Sequence, residues 1–334
     1  MMPPARGGMK GLALRYEDFT HVGSDLRRPE CVLTTRQGDL YVSDERGGVT
    51  RIRTDGSTRL YAGHTADAQT LAANGFAMLD GGSFLIAPLI GGGVFQLQRD
   101  GQARPYLQEA DGMALHCPNF VLRGTDERIW ICCLTRQDRS SLKHYHRDRR
   151  DGFIVLVDQR GARIVADGIG FPNEVRIDPT GGYLYTNETL CGTLLRFPLA
   201  ADGSLGTPET IVAMDESNMF DGFTLDEEGG AWLTALVSNR LWHVGPDGRT
   251  QLLIEDSHSE QLALLLEQQK STGVQKSIIY EERGSRLRNI SSVAFGGPDL
   301  KTVYLGSLMG DRILSVRVPV AGMKPAHWDF LATD

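Results

Sequence analysis

Glu30, Asn119, Asn173 and Asp221 are four oxygen-bearing side chains that fall at one repeated place in the chain. Each lies ten residues before a matching point in the run that follows it, at Leu40, Ile129, Tyr183 and Ala231. The same count from Leu85 lands on Gly75, and a further copy with a longer turn puts Ile290 or a neighbour there. Two carboxylates and two amides, with no thiolate or imidazole, make a hard-cation donor set. Such a set suits Ca²⁺, with Mg²⁺ or Mn²⁺ as alternatives, and does not suit a structural zinc, which takes Cys and His. Two anions brought to one point repel unless a cation lies between them. Asn and Asp also close turns, so any one of these positions alone would say little.

His116 stands close to this set in sequence. It could protonate a leaving alkoxide or bind a substrate oxygen, or simply line a wall. His144 and His146 fall in RQDRSSLKHYHRDRRD at 136–151, where Arg and Asp neighbours favour a mobile, solvated lid over the site's mouth rather than a metal site. Arg147, Arg149 and Arg150 could draw an anionic substrate, although a charge run is usually a solvated face. No GxSxG is present, which argues against a serine esterase, and the glycines at 91–93 lack the continuation of a phosphate loop.

The elements that must position these residues are short strands. PECVLTTRQGDLY, PNEVRIDPTGGYLY and FDGFTLDEEGGAW each read as apolar alternation, a Gly turn and a second apolar run. That is a hairpin. Third and fourth strands follow, joined by turns such as Asp55-Gly56, Asp100-Gly101, Asp202-Gly203 and Asp247-Gly248. Six units start near Glu30, Gly75, Asn119, Asn173, Asp221 and Ile290, mostly 44 to 54 residues apart with one interval of 69. A period of ~40–50 with four strands per unit is the signature of a β-propeller. The expected fold is therefore all-β, a six-bladed propeller over 29–334, with 1–28 closing onto it and insertions at 136–151 and 257–285. The second insertion carries a helical stretch, SEQLALLLEQQK, whose Leu262, Leu265 and Leu266 share a face. In a propeller the inner strands line a central channel, so the repeated position converges on the axis.

Composition agrees. Glycine is 39 of 334 residues, well above the usual ~7%, as many tight hairpins require. Net charge is −7, which disfavours nucleic acid as a partner. No apolar run reaches the ~18 residues of a membrane helix, and no secretory signal stands at the N-terminus. The five cysteines, Cys31, Cys117, Cys132, Cys133 and Cys191, are odd in number and form no CxxC. Reduced thiols in a cytoplasmic protein, monomeric or homodimeric, with a small-molecule substrate fit this reading.

From Glu30 to Pro319 the chain resembles the family of gluconolactonase, regucalcin (senescence marker protein) and luciferin-regenerating enzyme. The motifs are RPECV with Glu30, CPNFV with Asn119, FPNEVRIDPTGGYLY with Asn173, FDGFTLDEEGGAW with Asp221, and the closing AFGGPDLKTVYLGS. The resemblance implies one divalent cation in the tunnel, most simply Ca²⁺ with Mg²⁺, Mn²⁺ or Zn²⁺ as alternatives, held by Glu30, Asn173 and Asp221. It implies that Asn119 meets substrate, that Asp221 is ligand or general base, and that the reaction is hydrolysis of a lactone. One departure matters: where sugar lactonases of the family carry Arg two residues before this Asn, the chain has Cys117, which would stand at the substrate beside His116. Loss of that guanidinium removes a bidentate clamp, so a bigger or less polar substrate than gluconolactone is expected. The alternatives are isomerase, lyase or phosphotriester chemistry on the same cation, or a binding propeller without catalysis.

Overall fold

The computed structural model describes residues 9, 11–66, 68–271, 273–281 and 285–332. Six four-stranded antiparallel sheets follow one another along these residues. The first blade runs from Val32–Thr34 to Thr58–Tyr61, the second from Ala73–Met78 to Ala103–Leu107 and the third from Pro118–Arg123 to Gly161–Ile169. The fourth runs from Pro172–Ile177 to Glu209–Ala213 and the fifth from Met219–Leu225 to Thr250–Glu255. The sixth takes Ile290–Gly296, Thr302–Ser307 and Ile313–Arg317 from the end of the chain and Thr20–Val22 from its beginning. Thr20 pairs with Ser315 and Val22 with Ile313, so the two ends of the chain share one sheet and close the ring. Propellers leave only short, protected sheet edges, and this pairing covers one of them.

The alternation read in the sequence becomes burial between blades. Tyr41, Phe76, Phe84 and Trp130 pack where the first three blades meet, and Trp232 packs edge-on against Phe295 between the last two. Burying an aromatic side chain of this size contributes roughly 1.5–3 kcal/mol, so these seams hold the blades at fixed angles about the axis.

The first strand pair of a blade is interrupted where it meets the axis. Pairing skips between Ala73 and Phe76, Pro118 and Phe120, Pro172 and Val175, Phe220 and Phe223, and Ile290 and Ser292. A β-bulge leaves a residue unpaired and re-aims its side chain. The residues so released are Asn74, Asn119, Asn173, Asp221 and Ser291. Gly75 and Gly222 follow two of them because neighbouring blades come close there. A Cβ on Gly75 would lie 2.5 Å from the Asn119 carbonyl oxygen, and one on Gly222 would strike the Ser291 carbonyl.

The two insertions meet above the ring. Residues His144–Tyr145 pair with Val274–Gln275 in a small sheet of their own. The 3₁₀ turn Arg139–Ser141, the helix Ser259–Lys270 and the short helix Lys276–Ile279 flank it. Leu142, Tyr145, Leu265, Val274, Ile278 and Ile279 are buried in one cluster with Leu134, Phe171, Leu190, Met219 and Leu236 from the blades. The 136–151 segment is therefore an apolar-anchored roof and not the solvated loop its charge run suggests. Among the described residues no helix is long and apolar enough to cross a membrane.

Candidate functional site

Beneath that roof a cavity of about 60 Å³ is lined by Glu30, Asn74, Asn119, Asn173 and Asp221, with Arg28, Arg139, Tyr145 and Tyr280 around them. The structure thus brings Glu30, Asn119, Asn173 and Asp221 together. One of the repeated positions shifts by one residue, and the sixth resolves to a neighbour of Ile290. The second blade contributes Asn74 in place of Gly75, and the sixth contributes Ser291, whose hydroxyl donates to the Glu30 carbonyl at 3.3 Å.

The amides form a head-to-tail chain. Asn74 Nδ2 donates to Asn119 Oδ1 at 2.9 Å, Asn119 Nδ2 donates to Asn173 Oδ1 at 2.9 Å, and Asn173 Nδ2 donates to Asp221 Oδ1 at 2.5 Å. Asn173 also reaches Thr189 Oγ1 at 3.0 Å. Such a chain fixes every amide orientation and delivers its last donor to a carboxylate.

The charges beside this chain are unevenly matched. Arg28 forms an ion pair with Glu30 and donates to Asn74 Oδ1 at 3.1 Å. Glu174, the neighbour of Asn173, accepts from Arg176 at 2.6 Å, and burial pushes its carboxyl up to about 7 despite that partner. Asp221 has no arginine of its own. It is 4% exposed, and its Oδ2 has no hydrogen-bond partner. Burial, with Glu30 and Glu174 nearby, drives its carboxyl well above the ordinary carboxylate range, against the opposing pull of Arg28 and the Asn173 amide. An orphaned buried carboxylate oxygen in an all-oxygen ring is a place for a proton or a hard cation. Glu30, Asn173 and Asp221 are the oxygen donors here that could hold a divalent ion.

His116 and Cys117 are placed otherwise than their sequence positions suggest. His116 is exposed on the turn ahead of the third blade and does not line the cavity. Cys117 is fully buried behind the wall, beside the Arg139 guanidinium, and burial raises its thiol. The other four thiols are buried as well, none in a disulfide. His144 and His146 lie with ring centroids 6.3 Å apart in the roof. Arg147, Arg149 and Arg150 are each paired, with Glu216, Asp151 and Glu188.

Sequence reasoning missed Arg28, Asn74, Glu174 and Arg139. Arg139 Nη2 donates to Asn119 Oδ1 at 2.9 Å and to the Pro118 carbonyl at 3.1 Å. The only signal for it was Cys117, a missing arginine two residues before Asn119. A larger cavity of about 710 Å³ opens at the other end of the inner strands, near Arg123, Asp178, Phe295 and His327, and includes none of the ring residues.

Comparison with known proteins bears on the family and the fold. The chain is 26% identical over 242 residues to 6-deoxy-6-sulfogluconolactonase from Pseudomonas putida, covering 71% of this chain and 69% of the relative. Its fold matches that of a gluconolactonase from Xanthomonas campestris with a TM-score of 0.64 at 18% identity, over 89% of this chain and 88% of the other. It also matches regucalcin from Agrobacterium tumefaciens, described as a calcium-binding protein, with a TM-score of 0.61 at 16% identity over 93% and 97%. Residues 28–255 match the model of the SMP-30/gluconolactonase/LRE-like region, and the chain belongs to that family.

Proposed function

We propose that this chain is a lactonase-type hydrolase that adds water across a cyclic carboxylic ester to give the open hydroxy acid. The observation that carries the reading is the orphaned Oδ2 of Asp221 at the end of a fixed amide chain, in a family that includes gluconolactonases. Glu30, Asn173 and Asp221 would hold one divalent cation. Their oxygen chemistry favours Ca²⁺, and the calcium-binding description of the regucalcin neighbour supports that choice. Such an ion, when bound, supplies electrophilic polarisation of the lactone carbonyl and stabilises the alkoxide that develops on it.

The chain's own residues do the rest. Asn173 pins Asp221 Oδ1, so the other oxygen is the one left to bind or to take a proton from water. Asn119, with both ends of its amide engaged, sets the orientation of Asn173 rather than offering a free group. The roof excludes bulk water and strengthens every electrostatic contact beneath it. A cavity of about 60 Å³ is small for a sugar-sized lactone, so movement of the insertions would accompany substrate entry.

The test is hydrolysis of a lactone panel after chelation and after re-addition of Ca²⁺, Mg²⁺, Mn²⁺ or Zn²⁺, with the hydroxy-acid product identified. Metal-dependent turnover is the expected result. Cation binding without hydrolysis of any lactone would refute the reaction class, and turnover that chelation leaves intact would refute the metal.

A further inference from the structure

Arg139 is 7% exposed, and among the described residues no carboxylate stands within ion-pair distance of it. Its partners are neutral: Nη2 donates to the Pro118 carbonyl and to Asn119 Oδ1, and the Cys117 thiol lies beside the guanidinium. The other arginines in the same insertion, Arg147, Arg149 and Arg150, each have an acidic partner. A guanidinium buried without a counter-ion is unusual, because a charge removed from water is normally paired. Arg28 faces the same cavity, and Lys276 stands near enough that burial and both guanidiniums hold its ammonium below the ordinary lysine range. Of the two guanidiniums that line the cavity, Arg28 is answered by Glu30, and Arg139 is not answered by any carboxylate among the described residues.

We propose that Arg139, from the roof, is the anchor for an anionic substituent of the substrate, so that the preferred lactone carries a carboxylate or sulfonate remote from its ring ester. Arg139 thereby supplies from the 136–151 insertion a guanidinium where Cys117 supplies none. A guanidinium's planar fork matches either oxyanion bidentately. This rests on the lactonase reading, and it adds a substrate class to it.

The experiment compares kcat/KM of the full chain for glucono-1,5-lactone with that for its counterparts bearing a carboxylate or a sulfonate at C6. Calorimetry then measures binding of 1,5-anhydroglucitol and its 6-sulfonate, which have no ester to open. Wild type is expected to favour one or both anionic lactones on the order of 10²-fold, as expected for charge-assisted hydrogen bonds. Arg139→Gln is expected to collapse that ratio toward one, and Arg139→Lys to keep part of it. The two anionic lactones separate a carboxylate from a sulfonate preference. Equal kcat/KM for neutral and anionic lactones in wild type overturns the proposal, as does a preference that survives Arg139→Gln. Should Arg139→Gln fail to fold, the wild-type calorimetry decides: equal affinity for the neutral and sulfonated anhydroglucitols overturns the anchor. Tight binding of the sulfonate without turnover of any lactone refutes the hydrolase reading and leaves the anchor standing.

Discussion

Replacing Asp221 by Asn separates stability from function. In the metal-free protein Asp221 is a carboxyl without a counter-ion, its ionised form disfavoured by burial near Glu30 and Glu174, with one oxygen orphaned. An amide of the same shape can still accept from Asn173 Nδ2 through its oxygen, and it cannot ionise. Exchanging a buried ionisable group without a counter-ion for an isosteric neutral one stabilises by about 1–2 kcal/mol, the range typical of single stabilising changes. For a chain of 334 residues the unfolding entropy is roughly 0.7 kcal/mol per kelvin at ~2.1 cal/mol/K per residue. Asp221→Asn should therefore raise Tm in chelator by about 2 °C. In wild type, Ca²⁺ at a hundred times its Kd adds about 2.7 kcal/mol, or about 4 °C. In Asp221→Asn that increment should vanish, with lactone turnover falling in step. The assay is scanning calorimetry in chelator and across a Ca²⁺ series, beside hydrolysis of the same samples. A variant that melts several degrees lower in chelator, or that keeps the Ca²⁺ increment, would refute the placement of the cation on Asp221.

Other substitutions address other parts of the molecule. Gly75→Ala places a methyl 2.5 Å from the Asn119 carbonyl, and chemical denaturation should register a loss of about 1–3 kcal/mol from the overpacking. Cysteines at His144 and Gln275, cross-strand partners in the roof, should on oxidation lower turnover about tenfold or more if the insertions must part; reduction should restore it, and unchanged turnover in the oxidised form would show that substrate enters another way. His327, whose buried Nε2 has no partner, is held down to about 4 by burial and then by Arg123, against its ordinary 6.5. Its folded pKa is depressed, so the neutral ring's contribution is present above pH 6.5 and is lost as pH falls from there toward 4, by up to about 3 kcal/mol at 1.36 kcal/mol per pH unit. His327→Phe should flatten the acid limb of a Tm–pH profile over that window, and an unchanged limb would refute the assignment.

The repeat made the blades and four of the ring positions legible, because hairpins with Gly turns restate one local grammar in every blade. The ring failed by one residue in the second blade, because the count there starts one residue into the strand, and in the sixth it left open the neighbour of Ile290 that proves to be Ser291. The second strand of the second blade starts at Phe84, opposite Met78, just as those of the first, third and fifth blades start at Leu40, Ile129 and Ala231; ten residues before Phe84 is Asn74, whereas a count from Leu85 lands on Gly75. His116 looked close to the site because Asn119 is three residues away, yet the strand that buries Asn119 begins only at Pro118. A lid over the mouth was legible in the 136–151 insertion, but its apolar anchoring and its partner were not. The roof depends on Tyr145 pairing with Val274, and nothing local in either charged, polar insertion announces a partner so far along the chain.

Taken together, the charges around the cavity argue for a substrate with two distinct ends. Arg28 answers Glu30, and Arg176 answers Glu174, leaving Asp221 and Arg139 as the two unanswered groups. They do not answer each other. Asn119, bonded to Arg139, and Asn173, bonded to Asp221, stand between them as the middle of the amide chain. Had the pair been structural, direct contact would have discharged both at no expense in fold, since both already face one cavity. Held apart by two neutral amides, one end seeks a cation and the other an anion. A hard ion beside an ester carbonyl satisfies the first, and an oxyanion carried elsewhere on the same substrate satisfies the second. A neutral lactone would leave Arg139 buried and unpaired in the complex, away from the water it would otherwise have. By that reasoning the roof that closes the site also selects for charge.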